Sequence, residues 1–325
     1  MLLKLTNRIP PGVMRYLRVV VVLLLLAPVV IAVYRQWMQV REVLSHPDWL
    51  RLGTGMVVLV AAQPLLGFIS WIILRGLRQV FPYLRISALY FLSQAAKYLP
   101  GGIWAFPGRV VAYQAIGVEK LAAWVSLVQE VAALFLGAAS LGLAGLLTDM
   151  PIPAWVRAVT AAGIGACVLA IAAAQLPVTY RIVARTGLMR GELAQAFQSQ
   201  SYRFSAGHFT AAYLASLVFW FLVGVGFREL AAGIVPGAGA LNPQQSASLF
   251  ALAWCAGFVV VVAPAGLGIR EAVLTALLGS HLSSAEALSA ALAARLWWTL
   301  GEAGFIGLAL VWMSGRLNLK EKPSN

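Results

Sequence analysis

Residues 86–117 read ISALYFLSQAAKYLPGGIWAFPGRVVAYQAIG, and residues 246–279 read SASLFALAWCAGFVVVVAPAGLGIREAVLTALLG. Each stretch sets two apolar arms around a Pro/Gly break. The first break is Pro100-Gly101-Gly102, with a second interruption at Pro107-Gly108; the other is Pro264-Ala265-Gly266-Leu267-Gly268. Proline removes a helical N–H and clashes with the preceding turn, while glycine relaxes the backbone, so both runs predict interrupted helices. At least one arm of each is shorter than the ~20 residues that cross a bilayer. Irregular backbone at membrane depth persists only where protein or water covers it. Each stretch therefore reads as a re-entrant or broken helical hairpin, with Pro100, Gly101, Gly102, Pro264, Gly266 and Gly268 as hinge positions.

The rest of the chain supplies the membrane context. Of its 325 residues, 61% are hydrophobic and 11% are charged, against roughly 25% charged in a soluble domain. Long apolar runs lie at 16–34, 52–74, 121–147, 155–176, 209–235 and 285–313. The expectation is an all-α, polytopic membrane helix bundle of six full spans plus the two hairpins, with residues 1–325 forming a single integral membrane domain. The first run follows Lys4, Arg8 and Arg15 like a signal peptide, but it has no clear small-x-small cleavage site before Arg35 and reads as an uncleaved helix.

The formal net charge is +13. Lys4, Arg8, Arg15 and Arg18 precede or open the first run, and Arg75, Arg78 and Arg85 follow the second. Arg181, Arg185, Arg190 and Arg203 follow the fourth, and Arg316, Lys320 and Lys322 lie in the tail. The bias of basic residues toward cytoplasmic loops places both termini in the cytoplasm of a bacterial inner membrane. Six spans with both ends inside require each hairpin to return to its own side. Halves 1–149 and 150–325 then share one plan in opposite orientations, as in inverted-repeat transporters whose broken helices meet near the midplane. The basic residues sit in short loops and form no basic soluble surface, which argues against a nucleic-acid partner.

Cys167, Cys255, His46, His208 and His281 are isolated from one another. No metal-ligand spacing is present, so neither metal nor cofactor is expected. There is no nucleophile elbow, HExxH or Walker lysine, and hence no visible catalytic set.

Ionisable residues inside apolar segments are the functional candidates, because each costs about 2.5–3.5 kcal/mol at the bilayer centre even on the mildest scale. Lys97 precedes the first break and Arg109 follows it; Arg270 and Glu271 follow the second. Glu130 lies inside the run at 121–147, and Arg295 and Glu302 lie inside the last. Broken helices expose backbone N–H groups that attract anions. Lys97, Arg109, Arg270 and Arg295 would add fixed positive charge to bind a phosphate headgroup. Glu130, Glu271 and Glu302 would balance them or relay protons. A purely structural reading stands beside this one. In it Lys97 and Arg109 snorkel to the interface, Arg270–Glu271 and Arg295–Glu302 are neutralising pairs, Arg228 and Glu229 are structural, and Gln63 beside Pro64 marks a helix kink.

Two motifs carry a resemblance. Ser93-Gln94-Ala95-Ala96-Lys97-Tyr98-Leu99-Pro100-Gly101-Gly102, continuing to Trp104 and Gly108-Arg109, resembles the "KYxPG…GR" block of the flippase-like family that shares the membrane region of lysylphosphatidylglycerol synthases. Residues 264–271, PAGLGIRE, are similar to its "PgGlGxrE" block, and Ala294-Arg295-Leu296 with Gly301 to its "yRl…G" segment. Residues 126–130 resemble its "S…ER" stretch, but Val131 stands where relatives often have Arg. The resemblance implies a stand-alone transport region that moves an anionic or phosphate-bearing lipid between leaflets. No aminoacyl-transferase domain is expected in this chain, so no enzyme activity is. The alternatives are a non-catalytic membrane partner of a glycosyltransferase or lipid-synthesis enzyme and, less favoured by the residues, a membrane-embedded lipid enzyme.

Overall fold

The computed structural model describes residues 47–98, 104–147, 205–259 and 268–320, with a few positions between 154 and 166. The runs expected at 16–34 and 155–176, and the hinge positions Pro100, Gly101, Gly102, Pro264 and Gly266, lie outside the described residues. Among the described residues every regular element is helical. In chain order these are α1 (Trp49–Ala62), α2 (Pro64–Gly76), α3 (Tyr83–Gln94), a 3₁₀ turn (Ala95–Tyr98), α4 (Ala105–Ala115), α5 (Lys120–Leu147) and α6 (Ala206–Ile234). They are followed by a second 3₁₀ turn (Pro236–Ala240), α7 (Pro243–Val259), α8 (Ile269–Leu278) and α9 (Ser284–Lys320).

Among the described residues four helices are long and apolar enough to cross a membrane: Trp49–Gly76, Lys120–Leu146, Ala206–Ile234 and Ser284–Ser314. They match the expected runs at 52–74, 121–147, 209–235 and 285–313. The first is α1 and α2 joined at Gln63, where Pro64 opens α2 without an N–H to donate. Gln63 is fully buried at this kink, and its amide has no hydrogen-bond partner among the described residues.

The hairpin arms are short. α3, α4 and α8 have 12, 11 and 10 residues. At about 1.5 Å per residue each falls under ~20 Å, against a hydrocarbon core of ~30 Å. The two arms of each hairpin, α3 with α4 and α7 with α8, pack on each other, and α3 and α8 both pack on α9. One detail corrects the sequence reading: Pro107-Gly108 does not break the helix. Pro107 is the third residue of α4, where a missing N–H has no helical acceptor to satisfy, and Gly108 N–H closes the turn on Trp104 O at 3.0 Å.

Side chains fix several helix starts. Asp48 accepts from the N–H groups of Leu50 and Arg51 at 3.1 and 3.2 Å. Asn242 and Gln245 cap α7 reciprocally at 2.8 and 3.1 Å. Ser283 and Glu286 do the same for α9. Gly268, before α8, has φ +83°, a left-handed backbone that favours glycine.

α6 is the hub and touches α1, α2, α5, α7 and α9. Between apolar helices in lipid, close packing rather than water exclusion drives association, so small residues sit at the crossings. A Cβ on Gly224 would lie 2.1 Å from the Ala247 Cα of α7; one on Gly55 would lie 2.8 Å from Gly226 O. The Trp220 indole N–H also donates to Leu134 O of α5 at 2.9 Å.

Candidate functional site

The ionisable residues predicted from sequence gather into two neighbouring clusters with different construction. In the first, Arg109 on α4 is 2% exposed. Its Nη1 donates to Glu130 Oε1 on α5, and its Nε donates to Ser93 Oγ on α3 at 2.9 Å. Ser93 Oγ in turn donates to Tyr90 O at 2.6 Å. The guanidinium carbon lies 4.0 Å from the centroid of the Tyr90 ring, a cation–π contact. The other Glu130 oxygen accepts from Ser70 Oγ on α2. Four helices thus converge on one ion pair. Arg109 does not snorkel to an interface, because its charged head is committed inside. Glu130, with Val131 beside it instead of arginine, receives its cation from the hairpin.

The second cluster is arranged along α9. Lys97 Nζ, at the end of the first hairpin's incoming arm, donates to Glu302 Oε1. Two turns earlier, Arg295 Nη1 lies 3.4 Å from Glu271 Oε1 of α8, an ion pair without hydrogen-bond geometry. The other Glu271 oxygen accepts the Gly268 N–H at 2.7 Å. The Arg270 guanidinium carbon lies 5.7 Å from the ring centroid of Trp298. Arg270 and Arg295 both act electrostatically on Lys97, so the three cations share one neighbourhood. Tyr90 feels Glu302 as well as Glu130, which makes the two clusters adjacent across α3.

The described ion pairs of Glu302 and Arg295 run to Lys97 and Glu271 on other elements rather than along α9. Adjacent helical residues do not face each other, and residues seven apart stand about 10.5 Å apart along the axis. Arg295 and Glu302 instead reach in the same lateral direction to two different hairpins. One residue of α9 therefore holds each hairpin.

Beside the second cluster is a narrow cleft with a cavity volume of about 10 Å³. Arg270, Glu271, Arg295 and Trp298 line it, with Phe250 and Leu274 on its apolar side. Phe250 stacks on Trp298 with centroids 5.8 Å apart. The cleft thus pairs fixed charge with an aromatic wall.

Several contributors escape sequence reasoning. Ser70, Ser93 and Tyr90 are unremarkable in sequence; the signal that points to them is Arg109 itself, a buried cation that must find acceptors. Trp298 suits an interfacial belt by sequence but is 7% exposed inside the bundle, whereas Trp104 is 50% exposed. Arg228 and Glu229 are structural: Arg228 Nε and Nη2 donate to Leu241 O and Gly239 O at 2.6 and 2.9 Å, and so hold the second 3₁₀ turn against α6.

Among the described residues these features define an all-helical bundle with four helices fit to cross a membrane and a charged cluster inside it. No protein-family model matches the chain, and no curated protein matches it.

Proposed function

We propose that the protein moves an anionic or phosphate-bearing lipid between the leaflets of a bacterial inner membrane. The observation that carries this reading is the second cluster: Lys97, Arg270 and Arg295, with Glu271 and Glu302, meet where two short helical hairpins touch one spanning helix. Charges kept inside a membrane bundle serve substrate or ion pathways by default, given their desolvation cost. Arginine and lysine beside a Pro/Gly-broken helix start suit a phosphate. The cleft's aromatic side, Phe250 and Trp298, suits the apolar part of a lipid.

In this reading the bundle has six spans and two hairpins, with both termini cytoplasmic, and its halves are inversely repeated. The headgroup sits between the hairpins while the tail stays in lipid. Arg109 and Glu130 hold the first hairpin in place rather than touching the headgroup. The similarity of the two break motifs to the flippase-like family supports the same reading.

The test is a leaflet-accessibility assay in proteoliposomes, with fluorescent phosphatidylglycerol quenched from outside. Unaltered protein equilibrates the tracer between leaflets. Folded Arg270→Ala and Arg295→Ala proteins slow it at least tenfold. If both move lipid at the unaltered rate, the site is wrong.

A further inference from the structure

The connection from α2 to α3 carries cations that the fold itself does not use. Arg75 lies in the last turn of α2, Arg78 just beyond its end, and Arg85 in the first turn of α3. Among the described residues the side chains of Arg78 and Arg85 have no hydrogen bond or ion pair. Arg75 is stacked: its guanidinium carbon lies 4.9 Å from the centroid of the Trp71 ring. Trp71 is fixed in turn. Its indole N–H donates to Phe81 O at 3.0 Å, its ring meets that of Tyr83 edge-on at 6.1 Å, and the Tyr83 hydroxyl donates to Pro64 O at 2.9 Å.

Arg78 is also strained. Its N–H bonds to Arg75 O at 3.0 Å and the Gln79 N–H to Leu74 O at 2.9 Å, a helix ending in which glycine is usual at the left-handed position. Arg78 takes that position with φ +60°, the one non-glycine residue at positive φ among those described. A strained residue whose side chain serves nothing in the fold points to a task outside it. Between the arginines the chain exposes apolar side chains, Val80 at 76% and Leu84 at 58%. Glu119 reaches this connection through its backbone N–H, which donates to Gln79 Oε1 at 3.4 Å, and its carboxylate forms no described pair with the arginines. Unpartnered guanidiniums beside bare valine and leucine, at the end of a spanning helix and level with Trp71 and Tyr83, fit a bilayer surface, with phosphates for the first and acyl chains for the second.

We infer that residues 75–85 form a docking surface for anionic phospholipid, which seats the base of the first hairpin on the membrane. The surface is separate from the cluster along α9, and it stands whether or not the protein moves lipid. The bias of basic loops acts during insertion and asks for no particular geometry; here a stacked guanidinium and a strained backbone fix the charges in place. An arginine at an anionic surface contributes about 1 kcal/mol, roughly a fivefold preference.

The experiment attaches a fluorophore to Val80→Cys, with Cys167 and Cys255 replaced by alanine. The full chain is reconstituted in vesicles containing brominated phosphatidylglycerol or brominated phosphatidylcholine. Bromine quenches at contact, so the ratio of the two quenching curves gives the local enrichment of the anionic lipid. Phosphatidylglycerol is expected to be enriched at Val80 but not at a label on Leu50→Cys, which is 81% exposed at the other end of the same span. Arg75→Gln and Arg85→Gln each lower the enrichment about fivefold. Arg78→Gly does the same, yet raises the melting temperature in lipid-free detergent because glycine relaxes the backbone. Arg78→Lys keeps the enrichment. Equal quenching by the two lipids, quenching by neither, or the same enrichment at Leu50 overturns the inference. So does an Arg78→Gly protein that keeps its enrichment or melts lower, because the side chain would then serve the fold and not the lipid.

Discussion

The two hairpins are held to the bundle in opposite ways. The first is locked: Arg109 meets Glu130, Ser93 and the Tyr90 ring together, with Ser70 completing the carboxylate's partners. The second rests on the Arg295–Glu271 pair at 3.4 Å, next to a cleft. The residue types are the same, arginine and glutamate. What differs, among the contacts described, is that hydrogen bonds join Arg109 and Glu130 to each other and to Ser93 and Ser70, while Arg295 and Glu271 meet at ion-pair distance. A buried pair with its hydrogen bonds satisfied stiffens its surroundings, while a loosely met pair beside open space is free to exchange partners. In the translocase reading the first hairpin is the frame and the second is the working part.

The largest test of this contrast is Arg109→Ala. Removing one partner of a buried pair leaves an uncompensated charge, and the expected loss is about 3–5 kcal/mol, read by thermal or denaturant unfolding in detergent. Arg109→Lys does not restore it, because one ammonium cannot serve Glu130, Ser93 and the Tyr90 face in the same geometry. A stable Arg109→Ala protein would break the comparison.

Gly224→Ala sets a reference for packing without charge. Its Cβ would meet the Ala247 backbone at 2.1 Å, and overpacking of this kind costs about 1–3 kcal/mol. The same unfolding measurement, with lipid movement normalised to folded protein, checks that packing alone lowers stability without changing headgroup preference.

Ser93→Ala removes one arm of the lock and leaves the ion pair. The expected loss is about 1.5–3 kcal/mol, as for a hydrogen bond to a charged group, with no change in lipid selectivity. Altered selectivity would place Ser93 in contact with the headgroup and undo the division between frame and working part.

Arg295→Gln removes the second hairpin's ion pair. Its pair with Glu271 lacks hydrogen-bond geometry, so the loss stays below that of Arg109→Ala, at about 1–3 kcal/mol, the cost of leaving a buried polar group without its partner. Lipid movement nevertheless falls at least tenfold. A loss of stability as large as that of Arg109→Ala would show that the second hairpin is locked too.

The sequence makes the apolar layout legible, since runs near span length and Pro/Gly breaks are local properties. The four described spans fall where the runs predict, and α8 begins directly after Gly268. Pro107 misleads because the effect of proline depends on its position within a helix: it is disruptive in the interior and harmless in the first turn. The candidate charges are legible one by one, because lipid makes each of them anomalous. Their pairing is not, because it is set by which helices touch. Arg295 and Glu302 lie on one face, yet they serve different hairpins, and no spacing rule along α9 names Glu271 or Lys97 as their partners. Ser70 and Ser93 are ordinary serines until Arg109 and Glu130 are brought beside them.

The carboxylate of Glu271 is divided between two tasks. One oxygen holds the Gly268 N–H at the mouth of α8, and the other faces Arg295. A single rigid group therefore ties a side-chain contact to the first turn of a helix. In the translocase reading, a headgroup that draws Arg295 away changes the pull on Glu271, and through it on the Gly268 N–H at the start of α8.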